Sequence, residues 1–163
     1  MPLSAARFPA DDVYDNAAAE ISAALSEGED VAVICEGDPF FYGSFMYLFG
    51  RLAADHPVEV VPGVSSLTAC AAALGAPLSA KNDVLSVVPG PLAADRMSAR
   101  LAEADAAAVI KVGRHLPKIR GVLDDLGLTQ NARYIERATM AEQRIVSCLL
   151  YTSPSPETSL HLV

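Results

Sequence analysis

Four short runs hold the residues that could do chemistry. The first is Cys35-Glu36-Gly37-Asp38-Pro39-Phe40-Phe41-Tyr42-Gly43-Ser44. A glycine lets the main chain approach a ligand or take a positive φ. The Asp38 carboxylate can accept hydrogen bonds from ligand hydroxyls or backbone N–H groups, or cap the helix that follows, and Pro39 stiffens the bend. Read alone, the run is either a ligand-facing turn or a plain strand-to-helix turn. The second run is Pro62-Gly63-Val64-Ser65-Ser66. Ser65 and Ser66 offer hydroxyls from the start of a helix, and Ser65 alternatively serves as an N-cap worth about 1 kcal/mol. The third is Gly113-Arg114-His115, where His115 is either a general base or a helix-capping or surface residue. The fourth, Glu136-Arg137-Ala138-Thr139-Met140, reads alone as a turn with Arg137 facing solvent.

Several familiar chemistries are excluded. There is no Gly-Lys-Ser/Thr phosphate loop and no Gly-x-Gly-x-x-Gly dinucleotide fingerprint. Ser-His-Asp catalysis finds little support, because no Gly-x-Ser-x-Gly elbow occurs, His56 precedes a strand and His161 sits in an atypical tail. Cys35, Cys70 and Cys148 are scattered with no Cys-x-x-Cys spacing, so neither a metal site nor a disulfide framework is expected. A reducing cytoplasm is the default compartment.

The elements that must position these runs follow from periodicity. Val13, Ala17, Ile21, Ala24 and Leu25 form one stripe of a helix over residues 11–27, stopped by Gly28. Val31-Ala32-Val33-Ile34 predicts a buried strand ending at the first run, and Phe45, Leu48, Phe49 and Leu52 mark a helix over 44–54. A strand over 58–61 leads through Pro62-Gly63 to a helix over 65–74 closed by Gly75. Strands alternating with helices imply parallel βαβ units, with ligands expected at the carboxyl ends of the strands. The pattern breaks in the polar link 76–83, then resumes. Strands are expected over 84–88, 106–112 and 133–136, with another at 143–150, and helices over 94–104 and 115–126. A boundary is therefore placed near residue 80, giving lobes 1–79 and 80–146. Residues 147–163, with paired Ser-Pro steps, do not continue the pattern. They read as loop or disorder foreign to the domain, such as a gene-prediction or assembly scar.

The 163 residues carry a net charge of −8, spread unevenly. Residues 1–80 hold two Arg against eleven Asp and Glu, whereas residues 81–163 hold ten Lys and Arg against nine. An acidic chain with few aromatics argues against nucleic-acid binding. If an anionic ligand is bound, the second half is the better host for its acidic groups. There is no long charge-free apolar run for a membrane span and no basic-then-apolar leader at Met1.

The order of the runs is more specific than any one of them. Glu-Gly-Asp-Pro-Phe-Phe-Tyr-Gly-Ser, Val-Val-Pro-Gly-Val-Ser-Ser, Lys-Val-Gly-Arg-His and Glu-Arg-Ala-Thr-Met-Ala-Glu-Gln-Arg in succession resemble the tetrapyrrole methylase family, over roughly residues 12–146. The stretches 35–49 and 58–78 look most like its branch that methylates carbon 20 of precorrin-2 in cobalamin synthesis. The resemblance implies a two-lobed α/β fold, with a mostly parallel sheet in the first lobe and a mixed sheet in the second. It further implies S-adenosylmethionine as methyl donor, a tetrapyrrole acceptor and a homodimer. Carried over residue by residue, Glu36, Gly37, Asp38, Phe41, Ser65, Ser66, Val112, Ala138 and Thr139 would contact the cofactor. Tyr42 would face the macrocycle, and Lys81, Arg114, Lys118 and Arg137 would pair with its carboxylates. No catalytic triad is implied, because a reduced tetrapyrrole carbon is enamine-like and needs chiefly orientation. Cobalt-factor II, another precorrin or uroporphyrinogen III are the alternative acceptors, and an inactive α/β fragment is the alternative of another class.

The family opens with an apolar strand and a Gly-x-Gly-x-Gly-Asp-Pro loop that is absent here, and the last strands of the second lobe give way to the 147–163 tail. The chain thus reads as a truncated member with its first strand missing. Losing a central strand is expected to expose a sheet edge and apolar surface.

Overall fold

The computed structural model describes residues 11–146 and 161–162. The chain divides into two units, Met1–Ser65 and Ser66–Val163. The break expected near residue 80 lies inside the second unit.

In the first unit, α1 (Asp11–Ser26) ends where Gly28 takes φ 88°, a conformation glycine adopts without a Cβ penalty. Helix α2 spans Phe45–Leu52. The two helices are tied by Arg51. Its Nε donates to Asp15 Oδ1 at 2.6 Å and its Nη2 to Asp11 Oδ1 at 3.2 Å, while its guanidinium lies 5.8 Å from the centre of the Tyr14 ring. Tyr14 in turn packs on Tyr47, with ring centroids 5.0 Å apart. Ser22 Oγ and His56 Nε2 are 2.7 Å apart and fasten the segment after α2 to α1.

The expected strands at 31–35 and 58–61 do not form: neither segment has a ladder partner among the described residues. The physical reason is that a strand exists only by pairing. Apolar composition supplies the tendency, and a neighbour must supply the hydrogen bonds. Val31, Val33, Ile34 and Val61 are all exposed, Ile34 almost completely.

The second unit carries its own core. Helix α3 (Ser66–Leu74) ends at Gly75, φ 61°. Strand β1 (Leu85–Pro89) pairs parallel with β2 (Ala106–Ile110), Leu85 opposite Ala106 through Pro89 opposite Ile110. The connection between them carries α4 (Ala94–Ala102), as parallel strands require a crossover. A single 3₁₀ turn, Gly113–His115, leads into α5 (Leu116–Asp125), and Gly127 at φ 69° stops it. Val88, Met97, Leu101, Val109, Val112, Leu116, Ile119, Val122 and Leu123 are buried together between β1, β2, α4 and α5.

Strand β3 (Tyr134–Glu136) pairs antiparallel with β4 (Arg144–Val146) on one side and β5 (His161–Leu162) on the other. The α/β class, with both parallel and antiparallel pairing, is as expected. The tail differs from expectation in one respect. His161 and Leu162 are not loop but complete the second edge of β3, whose backbone groups would otherwise lie open. The remainder of the tail, 147–160 and Val163, lies outside the described residues, as does the far end of the strand expected at 143–150.

Candidate functional site

Within the first unit, the two glycine turns are joined. Gly37 takes φ 74°, which turns Asp38 back over the bend. Asp38 Oδ1 accepts the Phe40 N–H at 2.9 Å, and Oδ2 accepts the Gly63 N–H at 3.0 Å. These backbone donors, Gly63 first and Phe40 next, hold the carboxyl below the ordinary carboxylate range. Asp38 is therefore an ionised clamp between turns and does not cap α2. The N-cap position of that helix is Ser44, which makes no side-chain capping bond. Gly63 lies so close that a Cβ there would run into the Gly37 carbonyl oxygen, with its carbon 3.0 Å away. Both turns need glycine for this contact.

Around that clamp the surface is acidic and aromatic. Glu36 is exposed, and Phe41 and Tyr42 stand in a T-shaped pair 5.2 Å apart, each more than a third exposed. Tyr42 holds φ 56°, and Gly43 fits beneath the loop because a Cβ would meet the Pro39 oxygen at 2.6 Å. Phe40 turns the other way and packs on Phe49 at 5.0 Å. Ser65 is half-buried just before α3, and Ser66 is its exposed first residue.

The second unit repeats the device. The turn after β1 sits on the turn after β2: Gly90 N–H donates to Ile110 O at 2.6 Å, and a Cβ at Gly90 would lie 2.5 Å from Lys111 O. Lys118 Nζ donates to the Gly90 carbonyl at 2.6 Å and also to that of Leu92. This ammonium braces the turn, a role its spacing did not reveal. Val112, expected as an apolar cofactor contact, is fully buried, and its carbonyl accepts the His115 N–H at 2.7 Å. Arg114 is exposed. His115 is half-buried, and its pKa is lowered by desolvation first and by the Lys118 and Arg114 cations next. The ring is thus neutral near pH 7.

The fourth run forms the tight connection from β3 to β4. Arg137 and Thr139 take φ 50° and 69°, and the Thr139 N–H donates to Gln143 Oε1 at 2.7 Å, with Ala138 half-buried between them. Behind it, Tyr134 Oη donates to Glu136 Oε2 at 2.5 Å, and Arg144 Nη1 lies 3.6 Å from Glu136 Oε1.

Backbone strain singles out the same residues. Among the described residues, the non-glycine positions with positive φ are Tyr42, Lys81, Lys111, Arg137 and Thr139. Four were singled out from the sequence, and Lys111 is the residue before Val112. Such conformations cost about 1–3 kcal/mol each and gather at ligand sites. Sequence reasoning missed Lys111, the Gly90 approach and the Tyr134–Glu136 pair. Only the last had a signal, since two residues i and i+2 on a strand share a face. No cluster of three or more metal-binding side chains occurs among the described residues, and none of their helices is long and apolar enough to cross a membrane.

Comparison with known proteins places this arrangement. The family model described as Tetrapyrrole (Corrin/Porphyrin) Methylases matches residues 1–153. Over 129 residues the chain is 48% identical to the precorrin-2 C(20)-methyltransferase of Sinorhizobium sp, covering 79% of this chain and 53% of that one. The chain thus spans about half the length of that relative. Its backbone is similar to the solved structure of a cobalt precorrin-4 methyltransferase, CbiF, with a TM-score of 0.71, 18% identity and coverage of 99% and 72% of the two chains. That likeness carries the fold alone. It is also similar to the uroporphyrin-III C-methyl transferase of Thermus thermophilus complexed with S-adenyl homocysteine, with a TM-score of 0.56, 26% identity and coverage of 77% and 62%.

Proposed function

The chain belongs to the tetrapyrrole (corrin/porphyrin) methylase family, and from that membership we propose that its protein methylates carbon 20 of precorrin-2 in cobalamin synthesis. The observation that carries this reading is the clamped pair of glycine turns, Asp38 on Gly63, in a chain 48% identical to a relative of that name. The reading includes a cytoplasmic homodimer.

S-adenosylmethionine, when bound, supplies an electrophilic methyl group on a sulfonium. The residues here suit it. The glycine turns bring bare main chain to the surface, and Glu36 sets an exposed carboxylate beside them, able to accept from ribose hydroxyls or face the cationic end of the cofactor. Asp38 cannot do this as well, since both its oxygens are committed to amides. It holds Gly37 and Gly63 in place, and Phe41, Ser65 and Ser66 flank them. In the second unit, Val112, Ala138 and Thr139 are the proposed cofactor contacts.

Tyr42, placed by its positive φ, offers an aromatic face to a flat macrocycle. Lys81, Arg114 and Arg137, all exposed, offer cations to its carboxylates, and Lys118 keeps N–H capacity beyond its two carbonyl partners. The protein's contribution is orientation, which can supply roughly 7–11 kcal/mol of the barrier. An enamine-like ring carbon needs no general base to attack the methyl group; the methylated carbon then gives up its proton, which a neutral base such as His115 or water can take once the carbon–carbon bond has formed.

Titration calorimetry with S-adenosylhomocysteine, followed by mass spectrometry of metal-free precorrin-2 incubated with S-adenosylmethionine, tests this. Saturable binding and the net mass gain of one CH2, methyl replacing hydrogen, are expected, with Glu36→Gln weakening binding about tenfold, or 1.4 kcal/mol. A cooperatively folded protein that binds no S-adenosylhomocysteine overturns the reading. Turnover of the cobalt complex in preference to metal-free precorrin-2 would reassign the substrate.

A further inference from the structure

The connection from β3 to β4, residues 137–143, is fixed at its ends and strained in its middle. Glu136 and Arg144 face each other across the ladder, with Arg144 Nη1 3.6 Å from Glu136 Oε1, so both ends have a set position. Inside the connection, Arg137 takes φ 50° and Thr139 φ 69°. Thr139 is the harder case. Among the described non-glycine residues with positive φ it is the β-branched one, and a branched Cβ crowds the main chain most in the left-handed region. Such a residue stays there only when its surroundings over-determine it.

Gln143 supplies that constraint. Its Oε1 accepts the Thr139 N–H at 2.7 Å, and its own N–H donates to Met140 O at 3.1 Å. Met140 N–H in turn donates to Arg137 O at 3.0 Å. One residue thus grips the turn with side chain and main chain together. Among the described residues, no other side chain accepts from an amide of 137–143. The bond also decides what the turn can offer a ligand. The Thr139 N–H is spent on Gln143, whereas the Thr139 hydroxyl has no partner among the described residues. Gln143 is exposed, so the core does not depend on its side chain.

We propose that Gln143 is a positioning residue for the methyl donor, a role that rests on reading Ala138 and Thr139 as cofactor contacts. It holds Thr139 left-handed, so that the Ala138–Thr139 main chain and the Thr139 hydroxyl are set before the cofactor arrives. Without the Oε1 acceptor, Thr139 relaxes toward ordinary negative φ. The cofactor then binds only the fraction of molecules that keep the turn, and apparent affinity falls by that fraction. The turn is needed equally before and during methyl transfer, so the loss falls on binding and not on the chemical step.

The test compares the 163-residue protein with Gln143→Met, which keeps an unbranched stem and removes the acceptor, and with Gln143→Glu, which keeps the acceptor. In hydrogen exchange followed by NMR, Gln143→Met should speed the Thr139 amide about tenfold and leave the amides of Tyr134 and Ile135 at the wild-type rate. In calorimetry, S-adenosylhomocysteine should bind Gln143→Met about tenfold more weakly, and Gln143→Glu within about threefold of wild type. In turnover, the KM for S-adenosylmethionine should rise about tenfold in Gln143→Met with kcat nearly unchanged. Gln143→Ala also lacks the acceptor, should give the same pattern, and keeps the test decisive if Gln143→Met fails to fold. Equal S-adenosylhomocysteine affinity in wild type and Gln143→Met overturns the proposal and leaves the methyl-transfer reading standing. So does a Gln143→Glu variant that binds as weakly as Gln143→Met, or a Thr139 amide whose exchange ignores both substitutions. No binding by the wild-type protein overturns the methyl-transfer reading, and the positioning role with it.

Discussion

Asp38 and Gly63 stand 25 residues apart in the chain and 3.0 Å apart in space, carboxylate oxygen to backbone nitrogen. That bond makes one structural object of two turns that the sequence presents separately. Because the acceptor is an ionised side chain and the donor is main chain, the object titrates. Below its folded pKa, Asp38 loses the charge that the Gly63 and Phe40 amides stabilise. The folded pKa is lowered, so the contribution is fully present above the unfolded value of about 3.9. It fades as pH falls through the lower folded value. A carboxyl-detected NMR titration should give Asp38 a midpoint below that of free aspartate, with the Gly63 amide shift following the same curve. A Gly63 amide insensitive to acid would show that the clamp is not formed in solution.

Gly63 should be far less replaceable than Gly50, although both lie in apolar surroundings in the sequence. A Cβ at Gly63 collides with the Gly37 main chain, which cannot rotate aside, whereas a Cβ at Gly50 meets nothing within 4 Å. Gly63→Ala is expected to destabilise the protein by about 1–3 kcal/mol, as overpacking does. Gly50→Ala, in the middle of α2, should stabilise it by about 0.5–1 kcal/mol through helix propensity. Chemical denaturation of the two variants side by side measures the contrast.

How far such features can be read from sequence depends on what each one needs. Helix α1 was legible almost to the residue because its apolar stripe and Gly28 are local signals. The positions Gly37, Asp38 and Gly63 were legible as turn residues, but their mutual contact was not, since spacing along a chain says nothing about two bends meeting. The segments 31–35 and 58–61 have strand composition and no strand geometry. Composition reports burial tendency, while a strand is a relation to a neighbour, and neither segment has one among the described residues. Lys118 was read as a ligand cation because a lysine gives no sign of which carbonyls it will reach. Its bonds to Gly90 and Leu92 arise only when the loop after β1 folds over α5.

His115 supplies a pH measurement in the second unit. Desolvation and the nearby Lys118 and Arg114 lower its pKa. The unfolded chain therefore binds a proton at higher pH than the folded one. Stability from this site is complete above the unfolded value of about 6.5 and is lost as pH falls through the lower folded value. The ring resonances of His115 should titrate below those of a free histidine. Lys118→Met should move the midpoint upward by removing one cation, and should also loosen the Gly90 turn that the ammonium braces. A midpoint unchanged by that substitution would leave desolvation and Arg114 as the whole cause.

The Tyr134–Glu136 pair makes the strongest demand on its neighbours. Glu136 is only 8% exposed, yet it carries a carboxylate at the end of β3. Such a group is tolerable inside a protein only while its oxygens are hydrogen-bonded. Tyr134 Oη donates to one oxygen and the Arg144 guanidinium approaches the other. Tyr134→Phe keeps the ring in the core and deletes the donor alone. The cost should be that of an under-satisfied buried acceptor, about 1–3 kcal/mol, rather than the cost of a cavity. Glu136→Gln in the same background should recover part of the loss, because an amide oxygen is cheaper to bury than a carboxylate. A double-mutant cycle by thermal denaturation separates the two accounts. Additive effects would mean that Glu136 draws its stability from elsewhere, and strong coupling would fix the phenol as the group that lets this strand end in an acid directly behind the strained turn at Arg137 and Thr139.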